Sequence, residues 1–257
     1  MKGTSTVTRA EVEGVLRRIS GADVRVTAIE QANRWSDVTR LVDAYRRDRV
    51  LLAGDAAHVH SPLGGQGLSL GLVDAANLGW KLAAVVRGDK PQSLLDSYTL
   101  ERRPVAEAVL ANTLAQVAIM RPDPRSEAMR DIFAKLMELD GVNGHVDGLM
   151  SGLATRYDLG SEQDAVGRLT ADRPAGAAGV RTSLFAEMAG GESILLDTSP
   201  DGRAAGFALG FTRVRCLPAE AGPSMLIRPD GCIAWAAGAD ETAGLADALE
   251  RWFTPAG

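Results

Sequence analysis

Residues 49–82, RVLLAGDAAHVHSPLGGQGLSLGLVDAANLGWKL, decide how this chain is read. Val50-Leu51-Leu52-Ala53 is a short apolar run of the kind that fills the middle of a parallel sheet, and Gly54-Asp55 ends it with a carboxylate at the strand tip. Ligands of open α/β sheets bind at such tips. Beyond Pro62, the run Gly64-Gly65-Gln66-Gly67 lets backbone come close to a ligand, and from Leu68 the pattern is helical, with Leu68, Leu72, Ala75, Gly79, Leu82 and Val86 at helical spacing. The free N–H groups of that first helical turn then point at whatever occupies the loop.

The pattern continues through Asn77-Leu78-Gly79-Trp80-Lys81-Leu82, through Leu95-Asp96-Ser97-Tyr98 with Glu101-Arg102-Arg103-Pro104, and into Arg228-Pro229-Asp230-Gly231. By these residues nearly the whole chain resembles the class A flavoprotein monooxygenases, the FAD- and NAD(P)H-dependent aromatic hydroxylases, and among them the branch that oxidises aromatic polyketides. The resemblance implies a mixed α/β fold: part of a flavoprotein hydroxylase with long helices, followed by a thioredoxin-like C-terminal domain. It also implies a flavin site. Gly54 and Asp55 would hold the ribityl and pyrophosphate part of FAD, while Pro62, Gly64, Gly65, Gln66, Gly67, Leu68 and Ser69 would run along the isoalloxazine edge. Ser61 stands where the family usually has Pro, and Ser69 where it usually has Asn.

Family members begin with a strand, a Gly-x-Gly-x-x-Gly turn and a helix that hold the ADP half of FAD. No such unit precedes Arg49, and Gly65-Gln66-Gly67 followed by Gly71 has the wrong spacing to be one. The expectation is a C-terminal half with a partial FAD site, completed by self-association or by a second chain carrying the nucleotide-binding half. Its implied activity is hydroxylation of, or oxygen insertion into, a polycyclic aromatic polyketide-like substrate, with NAD(P)H as electron donor. Two alternatives stand beside it: a flavin-free scaffold of such a pathway, and a non-redox cyclase or isomerase that reuses the pocket. No residue is assigned as general acid or base.

Composition fits a globular chain: 257 residues, 46% hydrophobic and 24% charged, with a formal charge of -5. The absence of a basic cluster argues against nucleic acid as a partner. No apolar run reads as the roughly 18 residues that cross a bilayer, and the N-terminus has no signal-like core, so a cytoplasmic protein without a membrane partner is expected. His58 and His60 have a His-x-His spacing but too few companions for a closed metal site, so no metal is expected and they read as loop imidazoles bonded to backbone. Asp74 and Lys81 read as a solvated or interdomain pair, and Trp80, Tyr98, Trp235 and Trp252 as core anchors. Cys216 and Cys232 read as reduced thiols, with no Cys-x-x-Cys for exchange chemistry.

Along the chain, residues 1–48 read as a remnant of the substrate-binding sheet domain. Thr8-Arg9-Ala10-Glu11 opens a helix that Gly21 closes, Val24 to Ile29 alternates like a strand, and Trp35 to Tyr45 gives two short extended pieces. Residues 49–160 carry the flavin motif and a helical region, Pro91 to Met120 and Arg125 to Leu139, followed by a looser helix from Leu149 to Tyr157. Residues 161–178 lack periodicity and read as a linker. Residues 179–257 form the thioredoxin-like domain, with strands at Ser193–Asp197, Phe211–Leu217, Met225–Ile227 and Cys232–Ala236, a turn at Pro229-Asp230-Gly231 and a closing helix from Leu245.

Overall fold

The computed structural model describes residues 6–34, 37–176 and 182–255. They divide into two compact units, the first ending at Val38 and the second starting at Thr39. In the first, helix α1 (Arg9–Ser20) is capped by the Thr8 hydroxyl, which accepts from the Glu11 N–H at 3.3 Å, and it closes on Gly21 at φ 67°. The Val24 to Ile29 run, expected as a strand, has no ladder partner among the described residues. Side chains of α1 take its place. Arg9 and Arg17 donate to the carbonyls of Thr27 and Val24, and the Glu13 carboxylate accepts from the Val26 N–H. Trp35 and Ser36 lie outside the described residues.

The second unit begins with two small antiparallel pairs. β1 (Arg40–Leu41) pairs with β4 (His58–Val59), and β2 (Arg46–Arg47) pairs with β3 (Val50–Leu51). The Val50 to Ala53 run is therefore not the centre of a parallel sheet in this structure: it is one arm of a hairpin, and Val50 is 61% exposed. Only one side of it is covered. Leu52 N–H donates to the Tyr45 carbonyl and the Tyr98 hydroxyl donates to the Leu52 carbonyl, over a small core of Tyr45, Ala57, Leu70, Tyr98 and Ala106.

Four helices follow: α2 (Gln66–Val86), α3 (Asp96–Ile119), α4 (Pro124–Leu136), capped by the Asp123 carboxylate, and α5 (Asp140–Ser151). The last is displaced from the expected Leu149–Tyr157, because Tyr157 is a buried anchor of the C-terminal core instead. By length and a mean hydropathy of 1.2, residues 63–86 would suffice to cross a membrane, although no apolar run of that length was expected. Yet four of the six positions this helix buries are polar. Asp74, Asn77 and Lys81 are fully enclosed, tied to α3 and to the C-terminal region.

The C-terminal part opens with the short pair β5 (Pro174–Ala175) and β6 (Thr182–Ser183) and the helix α6 (Leu184–Met188). Next come β7 (Ser193–Asp197), α7 (Arg203–Ala208) and β8 (Val214–Pro218), a parallel βαβ unit, then the hairpin β9 (Ser224–Ile227) and β10 (Ile233–Ala237), and α8 (Leu245–Trp252). The sheet order β10-β9-β7-β8, with antiparallel outer hairpin and closing helix, is the thioredoxin-like arrangement. The stretch 161–178 packs in part along this sheet: Val166 is buried, Gly167 N–H donates to the Ile233 carbonyl and Thr170 N–H to the Gly231 carbonyl. Gly167 sits at φ 90°, where a Cβ would lie 2.0 Å from the Tyr157 carbonyl oxygen, so only glycine fits. Cys216 and Cys232 are free thiols, both pushed up by burial, to about 11 and about 12.

Candidate functional site

The motif loop and the start of α2 enclose a cleft of about 630 Å³, lined in part by Gly54, Asp55, His58, Pro62, Gly65 and Gly67. Local sequence explains its bareness. Gly64 and Gly65 take φ 75° and 65°, which lets the chain turn abruptly from Pro62 into α2, whose N-cap Gly65 supplies no side-chain hydrogen bond. The first-turn amides are thus left for a ligand, where an anion would also meet the positive end of the helix dipole. Gly71 lets α2 lie against the strand tip: a Cβ there would stand 3.3 Å from the Gly54 Cα. A Cβ on Gly67 would face the His60 ring at 3.6 Å.

Asp55 lies at this cleft, exposed, with no hydrogen bond or ion pair among the described residues. Pro62, Leu68 and Gly54 line the cleft with it. Gly64, Gln66 and Ser69 turn to another cavity of about 280 Å³, bounded by Arg102, Met150 and Leu169, and Gly65 borders both. The Gln66 side chain is buried and donates to the carbonyls of Leu149 and Met150 at 2.8 and 3.1 Å, so it fastens the loop to the end of α5. At Gly64 a Cβ would meet the Met150 methyl at 2.6 Å.

Beneath the cleft runs a buried chain that sequence reading missed. Asp74 receives Arg102 Nε at 2.7 Å on one oxygen, and His58 Nε2 at 2.8 Å with the Gly54 N–H at 3.1 Å on the other. Arg102 goes on to the Tyr157 hydroxyl at 3.0 Å and the Leu70 carbonyl at 3.2 Å. A carboxylate only accepts, so His58 carries its proton on Nε2, and its buried Nδ1 has no partner among the described residues. Burial alone would raise the Asp74 carboxyl, but the hydrogen bond from His58 and the charge of Arg102 outweigh it and hold the group below its ordinary range. The expectation of a backbone-bonded loop imidazole fits His60, whose Nδ1 lies 2.7 Å from the Ser61 carbonyl, and not His58.

A second buried cluster joins α2 and α3 to the β9–β10 turn. Glu101 receives Arg228 at 2.9 and 2.7 Å, Lys81 at 2.9 Å and Asn77 at 2.7 Å, and Asn77 also reaches Asp230 at 3.0 Å. The Arg228 guanidinium stacks 4.5 Å from the Trp252 ring centre and 5.3 Å from that of Trp80. Burial opposes the Glu101 charge, yet Arg228 and Lys81 pull its pKa down to about 2; burial and the repulsion of Arg228 push Lys81 down to about 8. Asp74 and Lys81 are therefore not a solvated pair. Each is enclosed in a different network. Nothing in local spacing brings Glu101 to Arg228; only the recurrence of Glu101-Arg102 and Arg228-Pro229-Asp230-Gly231 as motif pieces marks them.

Residues 1–113 match the model of the FAD binding domain, and residues 163–256 that of the aromatic-ring hydroxylase C-terminal domain. A 12-dehydrotetracycline 5-monooxygenase/anhydrotetracycline 6-monooxygenase of Streptomyces rimosus is 40% identical over 97% of this chain and 52% of its own length. The solved anhydrotetracycline hydroxylase from Streptomyces rimosus superposes with a TM-score of 0.89 at 40% identity, over 97% of this chain and 54% of that one. A Diels-Alderase of pyrroindomycin biosynthesis superposes with a TM-score of 0.80 at 35% identity, over 98% of this chain and 51% of that one. The chain spans about half the length of the relatives it matches.

Proposed function

The chain belongs to the FAD-dependent aromatic-ring hydroxylases, and from that membership we propose that it forms the flavin-ring half of a monooxygenase for a polycyclic aromatic, polyketide-like substrate. One observation carries the reading: the cleft has a wall stripped of side chains, an uncommitted carboxylate and an uncapped helix start, together. That donor set fits FAD. Gly54 and Gly71 keep the backbone close enough for a flat ring system, the Asp55 carboxylate accepts from sugar-alcohol hydroxyls, and the amides of Gln66 and Gly67 favour negative charge on the ring edge. Once bound, the flavin supplies hydride acceptance from NAD(P)H and activation of dioxygen. The protein's own share is positioning. Asp74 holds the Gly54 amide and His58, and Gln66 ties the loop to α5.

The same reading gives the exposed face of α2 an occupant. Leu68, Leu72, Leu82 and Val86 lie on its outer side, with Leu68, Leu72 and Val86 76%, 62% and 77% exposed. An apolar stripe of that length marks an interface. We propose that it is covered by the nucleotide-binding half of the fold, whichever chain carries it, since the relatives are about twice as long. The test is a titration of the purified chain with FAD, alone and with a separately produced nucleotide-binding half. Weak binding alone and flavin absorbance with tight binding in the mixture are expected; submicromolar affinity of the lone chain would sink the divided site. The likeness to a Diels-Alderase favours a second reading, a non-redox cyclisation in the same cleft. Product formation that persists without NAD(P)H and dioxygen would select it.

A further inference from the structure

We propose that a small cavity at the junction of α2, the start of β7 and the end of α8 is a second ligand site, for a small aryl carboxylate. The cavity, about 70 Å³, shares no residue with the glycine-lined cleft. Its walls are aromatic: Trp80 meets Trp252 and Phe253 with ring centres 6.2 and 6.4 Å apart. Such walls favour a flat apolar body over a bare inorganic ion.

Two of the residues that line it carry a buried, uncommitted polar atom. Ser193 is 1% exposed, and neither its hydroxyl nor the Trp80 Nε1–H has a partner among the described residues. Buried polar groups are almost always paired, so two orphans on one cavity point to a missing acceptor. The rim supplies the charge. Lys90 is spent on the Glu250 carbonyl at 2.7 Å, and Arg87 on Asp89, the carboxylate of the rim, at 2.7 Å. Arg213 is not spent: its guanidinium has no hydrogen bond or ion pair among the described residues, while its carbonyl accepts from the Ser193 N–H at 3.0 Å. Two donors and a free guanidinium at an aromatic slot are the complement of a carboxylate on a ring. The slot joins the flavin-motif helix to the thioredoxin-like domain, so a bound acid would sit on the seam that Arg228 stacks within.

The experiment titrates the full chain with sodium benzoate, followed by tryptophan fluorescence and by calorimetry, with benzyl alcohol and inorganic phosphate as comparison probes. Saturable benzoate binding, at least about tenfold tighter than either comparison probe, is expected. Arg213→Gln and Ser193→Ala should each weaken it about tenfold or more; Arg213 is exposed, so its variant keeps the parent melting temperature. No saturable binding would show a cavity that holds only water. Equal affinity for benzyl alcohol or phosphate, or an unchanged constant in Arg213→Gln, would equally overturn the proposal. Failure here leaves the flavin reading intact, because the two cavities have no residue in common.

Discussion

Helix α2 has two faces, and each does the opposite of what its composition suggests. The inner face carries Asp74, Asn77 and Lys81, fully buried and paired with Arg102, Glu101 and Asp230. The outer face carries Leu68, Leu72, Leu82 and Val86, and is exposed. A helix at the surface of a finished globule would be turned the other way. The difference teaches that the inner side is complete, every charge answered within the chain, while the outer side is bare apolar surface. Burying charges is expensive unless each is matched, so the inner network sets how α2, α3 and the β9–β10 turn fit together more than it adds net stability.

Breaking the inner face should have the largest effect. Glu101→Gln leaves Arg228 and Lys81 buried with less opposing charge, and a loss of about 3–5 kcal/mol is expected by urea denaturation. The acid limb has the same origin. The folded pKa of Glu101 is about 2, below its ordinary 4.5, so its contribution is whole above pH 4.5 and drains away as pH falls towards 2. A Glu101→Gln variant whose stability curve between those pH values matches the parent would show that the network contributes nothing there.

The outer face should answer differently. Leu72→Lys with Val86→Lys removes apolar area that is mostly uncovered among the described residues, 62% and 77% exposed, so the melting temperature should hold or rise. Association should fall by about 3 kcal/mol, the scale of two aliphatic side chains leaving an interface. Light scattering of the parent and the double variant, alone and with the nucleotide-binding half, measures it. If the double variant unfolds, the stripe is internal packing and the contrast between the faces collapses.

Asp55 sharpens the contrast at the cleft. Its carboxylate has no partner among the described residues, so Asp55→Asn should leave the melting temperature alone while weakening flavin binding in the completed complex by about 1–3 kcal/mol. A fall in melting temperature with unchanged flavin affinity would make it a turn residue.

Legibility in the sequence followed the same division. Periodicity locates the α2 stripe and the strands of the C-terminal sheet, because apolar spacing is a local signal: the pattern marks Ser193–Asp197 to the residue and the other three strands of that sheet within a few positions. Periodicity does not say on which side the partner lies. Val50 to Ala53 looked central by composition, yet no parallel neighbour flanks it among the described residues. The pairing of Glu101 with Arg228 was invisible for another reason: the two lie 127 positions apart, and no spacing rule reaches that far. In the cleft, the glycines and Asp55 were legible because close backbone approach restricts residue choice locally. His58 to Asp74 was not, since a histidine in a loop carries no mark of the buried carboxylate beneath it.

The smallest expected effect concerns Gly71. A methyl group there would meet the Gly54 Cα at 3.3 Å, tighter than most such contacts, and the atom in the way is backbone, which cannot rotate aside. Gly71 is in helical conformation, so alanine brings a gain in helix propensity of up to about 1 kcal/mol against that contact, and the two nearly cancel in stability. They do not cancel in position. Relief requires α2 to move away from the Gly54 turn by a few tenths of an ångström, which loosens the Asp74 hold on the Gly54 N–H and shifts Asp55. Gly71→Ala should therefore melt within about 1 kcal/mol of the parent while binding flavin more weakly in the completed complex. If affinity is unchanged, the close approach serves packing alone, and the cleft's bare wall owes its shape to Gly65 and Gly67.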